Sequence, residues 1–241
     1  MKLSTILKNT LLCILGSLIY MSNFSYAANA PVIPAAPAIP GMPTEAIEGI
    51  SILPLDKQPV PNELKDLARM DISQMKRNGF IDAPESVVAI LDTINVARKS
   101  KDPLLKLPAE ITRSLVFSPS TLGSLLSEAT LLDAEGSGGL TEKGWTGLYR
   151  LFAVQNIGLV KLEEVDYIVS KGGWGIIKEA INQDVNGHPA ILNVKQSQSG
   201  EGLSELVWAT DRKIFTLTLN KAVKDKVTID AFLKLANGIS G

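Results

Sequence analysis

Residues 133–152 read DAEGSGGLTEKGWTGLYRLF, and the fold turns on how this stretch is taken. Trp145, Leu148, Tyr149 and Phe152 recur at i, i+3, i+4 and i+7. That spacing gathers four large apolar groups on one side of an α-helix. The stretch therefore predicts a helix whose aromatic stripe faces the core, with Gly136, Gly138 and Gly139 in the connection ahead of it. On this reading the chain has a helical half.

The residues upstream extend the pattern. Leu64, Leu67, Ala68 and Met75 share one face of a helix that Asn62 can cap and Gly79 can end. Asp82 with Glu85 three residues on forms a capping box, and Pro84 falls in the first turn, where its missing N–H costs nothing. Val87, Val88, Leu91 and Ile94 mark the buried side of that helix. Pro108 and Ser118-Pro119 start two more, the second carrying Leu122, Leu125, Leu126 and Leu132. Residues 159–183 stay open between helix and strand. Downstream, Ala190, Leu192 and Val194 alternate with polar neighbours, as do Leu206 with Trp208 and Phe215, Leu217 with Leu219, which predicts an antiparallel meander. Thr228 caps a last helix with Ile229, Phe232, Leu233 and Ala236 on one side. The expected fold class is α+β: an N-terminal helical region followed by a short antiparallel β-meander covered by a C-terminal helix.

The first 61 residues carry other information. Lys2 and Lys8 precede the apolar run Leu11–Met21, and Ser25-Tyr26-Ala27 places small residues at −3 and −1. These are the three parts of a secretory signal, cut after Ala27. The run is about half the ~20 residues that span a membrane, so no permanent membrane anchor is expected after cleavage. Cys13 leaves with the leader, so the mature chain has no thiol for a disulfide, a nucleophile or a metal. The mature chain has 22 basic and 25 acidic residues, which gives no general pull toward nucleic acid. Pro31, Pro34, Pro37, Pro40 and Pro43 recur every third residue, the period of polyproline II, and read as a stiff extended tether. The expected organisation is a signal peptide at 1–27, a proline-rich tether at 28–61, a helical region at 62–158 and an α+β region at 159–241.

Two stretches bear oxygen ligands at intervals that suit a hard cation. Asp133, Glu135, Ser137 and Thr141 stand at positions 1, 3, 5 and 9 of a nine-residue string, with Gly138 at 6, Gly139 at 7 and Leu140 at 8. The string resembles the start of an EF-hand calcium loop, in which position 7 contributes its backbone carbonyl. The resemblance implies calcium held by Asp133, Glu135, Ser137, Gly139 and Thr141. Position 12, where that family places a bidentate glutamate, is Gly144. Residues 74–85 keep the other end of the motif in Asn78, Gly79, Ile81, Asp82 and Glu85, but have Gln74 and Lys76 at positions 1 and 3. The competing reading is that both are ordinary turn-rich connections.

Catalytic constellations lack their parts. His188 is the only histidine, and its Asn186-Gly187-His188-Pro189 context reads as a turn entering a strand. No G-x-S-x-G elbow is present for a serine triad. Ser73 and Lys76 have the S-x-x-K spacing without its companion elements. Glu163, Glu164 and Asp166 read as a solvated acidic cluster at a helix start. One histidine and no cysteine cannot make a zinc site. The strings Asn186–Ala190, Leu206–Trp208, Phe215–Leu217 and Leu233–Ile239 resemble the strand–strand–helix ends of bacterial exported proteins, which implies a small envelope domain and carries over no site residue. The expectation is a periplasmic or secreted, non-catalytic binding protein with a protein partner in the cell envelope. A calcium-responsive binder and an envelope hydrolase are the alternatives.

Overall fold

A computed structural model describes residues 19–20, 49–98, 104, 106–170 and 172–240. The expected leader (apart from Ile19–Tyr20) and the prolines from Pro31 to Pro43 lie outside the described residues. In chain order the strands are β1 (Ile19–Tyr20), β2 (Gly49–Leu53), β3 (Ile81–Asp82), β4 (Thr121–Leu122), β5 (Thr130–Thr141), β6 (Gly144–Val154) and β7 (Gly158–Asp166). They continue as β8 (Gly173–Ile177), β9 (Gln183–Val185), β10 (His188–Gln196), β11 (Gly202–Ala209), β12 (Lys213–Leu219) and β13 (Ile239–Ser240). The helices are α1 (Asn62–Asn78), α2 (Glu85–Val88), α3 (Ile90–Arg98), α4 (Ala109–Arg113), α5 (Ser124–Ser127) and α6 (Lys226–Asn237).

The main sheet has eight strands in the order β3-β10-β11-β12-β7-β6-β5, with β9 paired to β10 beside β3. Two meanders build it, β5-β6-β7 and β9-β10-β11-β12, and they join where β12 pairs antiparallel with β7. Only β3 runs parallel to its neighbour. A smaller sheet, β1-β8-β2, is inserted between the meanders. Its central strand β8 pairs with β2 over five residues and with Ile19–Tyr20 over two.

This architecture corrects the expected fold class. The region from Thr130 to Val154 is a β-hairpin and not a loop followed by a helix. The sheet is far larger than a short meander, and most helices are a turn or two long. The reason lies in the opening stretch. Leu148, Arg150, Phe152 and Val154 also alternate, and all four are buried, at 0, 4, 3 and 7% exposure. Five glycines between 136 and 147 weaken a helix there, while the two-residue turn Glu142–Lys143 closes a hairpin in which Thr141 pairs with Gly144. The helical spacing of the aromatics was a coincidence with the strand period.

Smaller corrections follow the same logic. Ser118-Pro119 starts no helix; α5 is a single turn after Gly123, and Leu131 and Leu132 belong to β5. Asp82 and Glu85 form no capping box, since Pro84 occupies the cap of α2 without a side-chain bond. Asp225, not Thr228, caps α6, accepting from the Thr228 backbone N–H at 2.9 Å. Residues 158–166 are strand. Helix α1 begins and ends near its expected limits, with Gly79 left-handed at φ 75°.

The sheet is covered on both faces. On one, Phe152, Val160, Leu162, Leu206, Trp208, Phe215 and Leu217 pack under Phe232, Leu235 and Ala236 of α6. Trp208 and Phe215, cross-strand partners, stack with centroids 5.0 Å apart. On the other face α2 and α3 cover Leu151, Leu159 and Leu203, while the smaller sheet covers Ile191, Val207 and Ile214 with Trp174 and Ile176. Among the described residues no helix is long and apolar enough to cross a membrane.

Candidate binding cleft

Helix α1 is anchored at its two ends and stands off the sheet between them. Near its start, Leu64 and Ala68 pack with Leu55, Val60 and Ile177. Gln58, 1% exposed, ties this corner down by donating to Leu53 O at 3.1 Å and Ile176 O at 3.0 Å. Near its end, Gln74 exchanges two 3.2 Å hydrogen bonds with Asp82, one from its own amide and one from the Asp82 backbone N–H. The middle of the helix faces Ile191, Asn193 and Lys195, which alternate along β10 and so share its inner face. Ile191 is apolar, but the next two are not, and they give α1 no surface to pack against. A cleft results.

The cleft has two lobes. The first, about 180 Å³, lies between α1 and β8 and is walled by Ile72, Met75, Trp174, Ile181 and Ile191. The second, about 200 Å³, lies between α1 and α2, with Leu67, Ile81 and Val87 beside Asp71, Asp82 and Lys195. Asp71 and Asn193 line both and mark the waist. Each lobe is on the scale of a cavity of ~150 Å³ that holds one benzene.

The polar groups of the cleft are incompletely satisfied. Trp174 is 1% exposed, and its Nε1–H has no acceptor among the described residues. Burial pushes the Asp71 carboxyl above the usual carboxylate range, with the charge of Lys195 acting in the opposite sense. Lys195 is itself paired with Glu205, so it neutralises Asp71 only in part. An apolar recess with a few convergent, unsatisfied polar groups is the ordinary form of a recognition site.

A second polar cluster is closed. Glu164, fully buried on β7, accepts from Arg150 Nη2 at 2.6 Å, Lys213 Nζ at 2.9 Å, and the Ser120 hydroxyl and backbone N–H at 2.6 and 3.0 Å. Ser120 and Lys213 lie 2.8 Å apart, the reach of a serine–lysine pair. Lys213 also donates to Ser118 O at 2.7 Å, so it gives three hydrogen bonds. All three ammonium protons are engaged and no lone pair is left to act as a base. Ser120 is 5% exposed and lines none of the cavities described above. This cluster pins Ser118 and Ser120 to the sheet.

The residues singled out in the sequence are dispersed. Asp133, Glu135, Ser137, Gly139 and Thr141 lie along β5, an extended strand with bulges after Leu131 and Ser137. At about 3.3 Å per residue, positions 1 and 9 stand on the order of 25 Å apart, so their oxygens do not converge. Asp133 is buried and Glu135 exposed. Among the described residues no three His, Cys, Asp or Glu side chains are grouped as metal ligands would be. Gln74 and Asp82 do meet, by the bonds given above, but Glu85 instead accepts from Ser199 N at 3.2 Å. His188 starts β10 after a turn in which Asn186 has φ 52° and Gly187 φ 85°. The acidic cluster splits: Glu163 pairs with Lys161 at 3.3 Å on one face, whereas Glu164 and Asp166 are fully buried on the other. Asp71, Asn193 and Trp174 went unremarked in the sequence. The one available signal was Asp71 within the helical segment 62–78, one residue from the apolar Ile72. No protein-family model, curated protein or solved structure matches the chain.

Proposed function

We propose that this chain is an exported, non-catalytic binding protein of the bacterial cell envelope, periplasmic or secreted, that takes a segment of a partner protein into the cleft beneath α1. The observation that carries the reading is the two-lobed recess itself, whose waist holds the Asp71 carboxyl opposite a lysine already shared with Glu205. The closed Glu164 cluster and the isolated His188 speak against catalysis at either place.

The lysine-flanked apolar leader supports export. N-terminal sequencing of the purified protein is expected to begin at Ala28, and chains beginning at Met1 in the cytoplasm would count against it. Cleavage removes β1 and leaves β2 as the strand paired with β8. Binding is tested with a photo-crosslinking residue at Met75, in the cleft, and at Val227, which is 77% exposed on α6. A discrete adduct from Met75 that is absent from Val227 and lost with Ile72→Arg supports the reading. The same adducts from both positions overturn it.

A further inference from the structure

The floor of the cleft sets a ruler. Ile191 and Asn193 floor the first lobe, and Asn193 and Lys195 the second. The lobes are therefore displaced by one two-residue step of β10, about 6.6 Å. An extended peptide repeats its side chains on one side at the same step.

The lobes differ in chemistry. The first has the larger apolar wall, with Ile72, Met75, Ile177, Ile181, Ile191 and Trp174, and suits a leucine-sized group; beside its carboxylates Asp71 and Glu179 stands Lys76, which disfavours a second cation there. The second carries two carboxylates, Asp71 and Asp82, and its one cation, Lys195, is held by Glu205. Its electrostatic complement is a cation whose stem is apolar, which is the form of a lysine side chain. The Asn193 amide, which lines both lobes, can both donate to and accept from a peptide group between them.

We infer that the partner segment is extended and carries an apolar residue and a lysine two positions apart, the apolar side chain filling the Trp174 lobe and the ammonium meeting Asp71. The inference rests on the proposed binding role of the cleft and specifies its ligand.

The probes are acetyl-Ala-Leu-Ala-Lys-Ala-amide and its reversed Lys-Ala-Leu form. Three controls replace lysine by norleucine, replace it by glutamate, or set leucine and lysine side by side. Calorimetry measures affinity, and the indole N–H resonance of Trp174, assigned through Trp174→Phe, reports occupancy. One of the two spaced lysine peptides is expected to bind about tenfold tighter than every control, the size of one partly screened ion pair. In Asp71→Asn its affinity falls to that of the norleucine peptide. Equal affinity for norleucine, or for the adjacent arrangement, overturns the inference and leaves the cleft a binding site. Butylamine binding as tightly as the peptide overturns the assignment to a protein segment. If no peptide moves the Trp174 resonance, the binding role of the cleft fails with it.

Discussion

Glu164→Gln tests the physical reading of the buried cluster. The carboxylate is fully buried and stands between Arg150 and Lys213, whose side chains are each 5% exposed. Glutamine preserves the shape and one acceptor oxygen but removes the only charge bonded to both cations. Burial already holds the Arg150 guanidinium below its usual value, and Glu164 is what opposes that shift. Breaking a buried pair from one side costs about 3–5 kcal/mol. For a chain of this size each kcal/mol moves Tm by about 2–4 °C, so a fall of the order of 10 °C is expected. The assay is urea denaturation of the mature chain followed by circular dichroism, with the midpoint lowered and the slope unchanged. The Ser120 amide, which donates to Glu164, should lose its protection from hydrogen exchange at the same time. The triple variant Glu164→Leu, Arg150→Met, Lys213→Met removes all the charges together and should recover most of the loss. A single variant within ~1 kcal/mol of the parent, or a triple variant worse than the single, would refute the account.

Four further outcomes follow from the geometry. Asp71→Asn should raise Tm at neutral pH by about 1–2 °C, the size of ~0.5 kcal/mol after solvent screening. The Asp71 carboxyl is raised in the folded state, so its penalty is absent below about pH 4 and grows as pH rises through the folded value; melts of parent and variant should therefore converge in acid. Gly144→Ala, at φ 133° with a Cβ that would lie 2.2 Å from Ser114 O, should cost at least ~2 kcal/mol in urea denaturation. Gly187→Ala, at φ 85° with nothing within 4 Å, should cost about 1 kcal/mol. Millimolar calcium against EGTA should leave the thermal melt unchanged in both the parent and Asp133→Ala; a rise of several degrees that Asp133→Ala abolishes would establish calcium binding by these residues.

The legible parts of the fold were those where one period dominates. Residues 190–219 alternate so regularly that strand is the only reading, and α1 shows a helical stripe with a glycine stop. Residues 145–154 satisfy both periods at once. Trp145, Leu148, Tyr149 and Phe152 fit a helix, and Leu148, Arg150, Phe152 and Val154 fit a strand only if Arg150 is allowed inside. A sequence reader assigns arginine to the surface, since a lone buried charge is prohibitive. The structure allows it because Glu164, fourteen positions away, sits on the adjacent strand two residues from direct register and so on the same face, Arg150 pairing with Leu162. Pairing across a hairpin decided the local structure, and the periodicity of residues 145–154 taken alone does not contain that information.

The cleft was illegible for a related reason. Asp71, Asn193 and Trp174 belong to a helix, a strand and an inserted sheet, and they are more than a hundred residues apart at the extremes. Each is unremarkable alone: an acid in an amphipathic helix, an asparagine in an alternating strand, a tryptophan after two glycines. Their chemistry arises from what surrounds them. Asn193 interrupts the apolar face of β10 where α1 crosses, so the helix cannot close onto the sheet. Trp174 is fixed by the parallel pairing of β8 with β2, which buries the indole without supplying an acceptor. Filling the cleft with Asn193→Leu would give α1 the apolar contact that it lacks, and the fold should gain stability while binding is lost. A protein that forgoes that contact keeps a cost in its own stability, which is the usual mark of a site held open for a ligand.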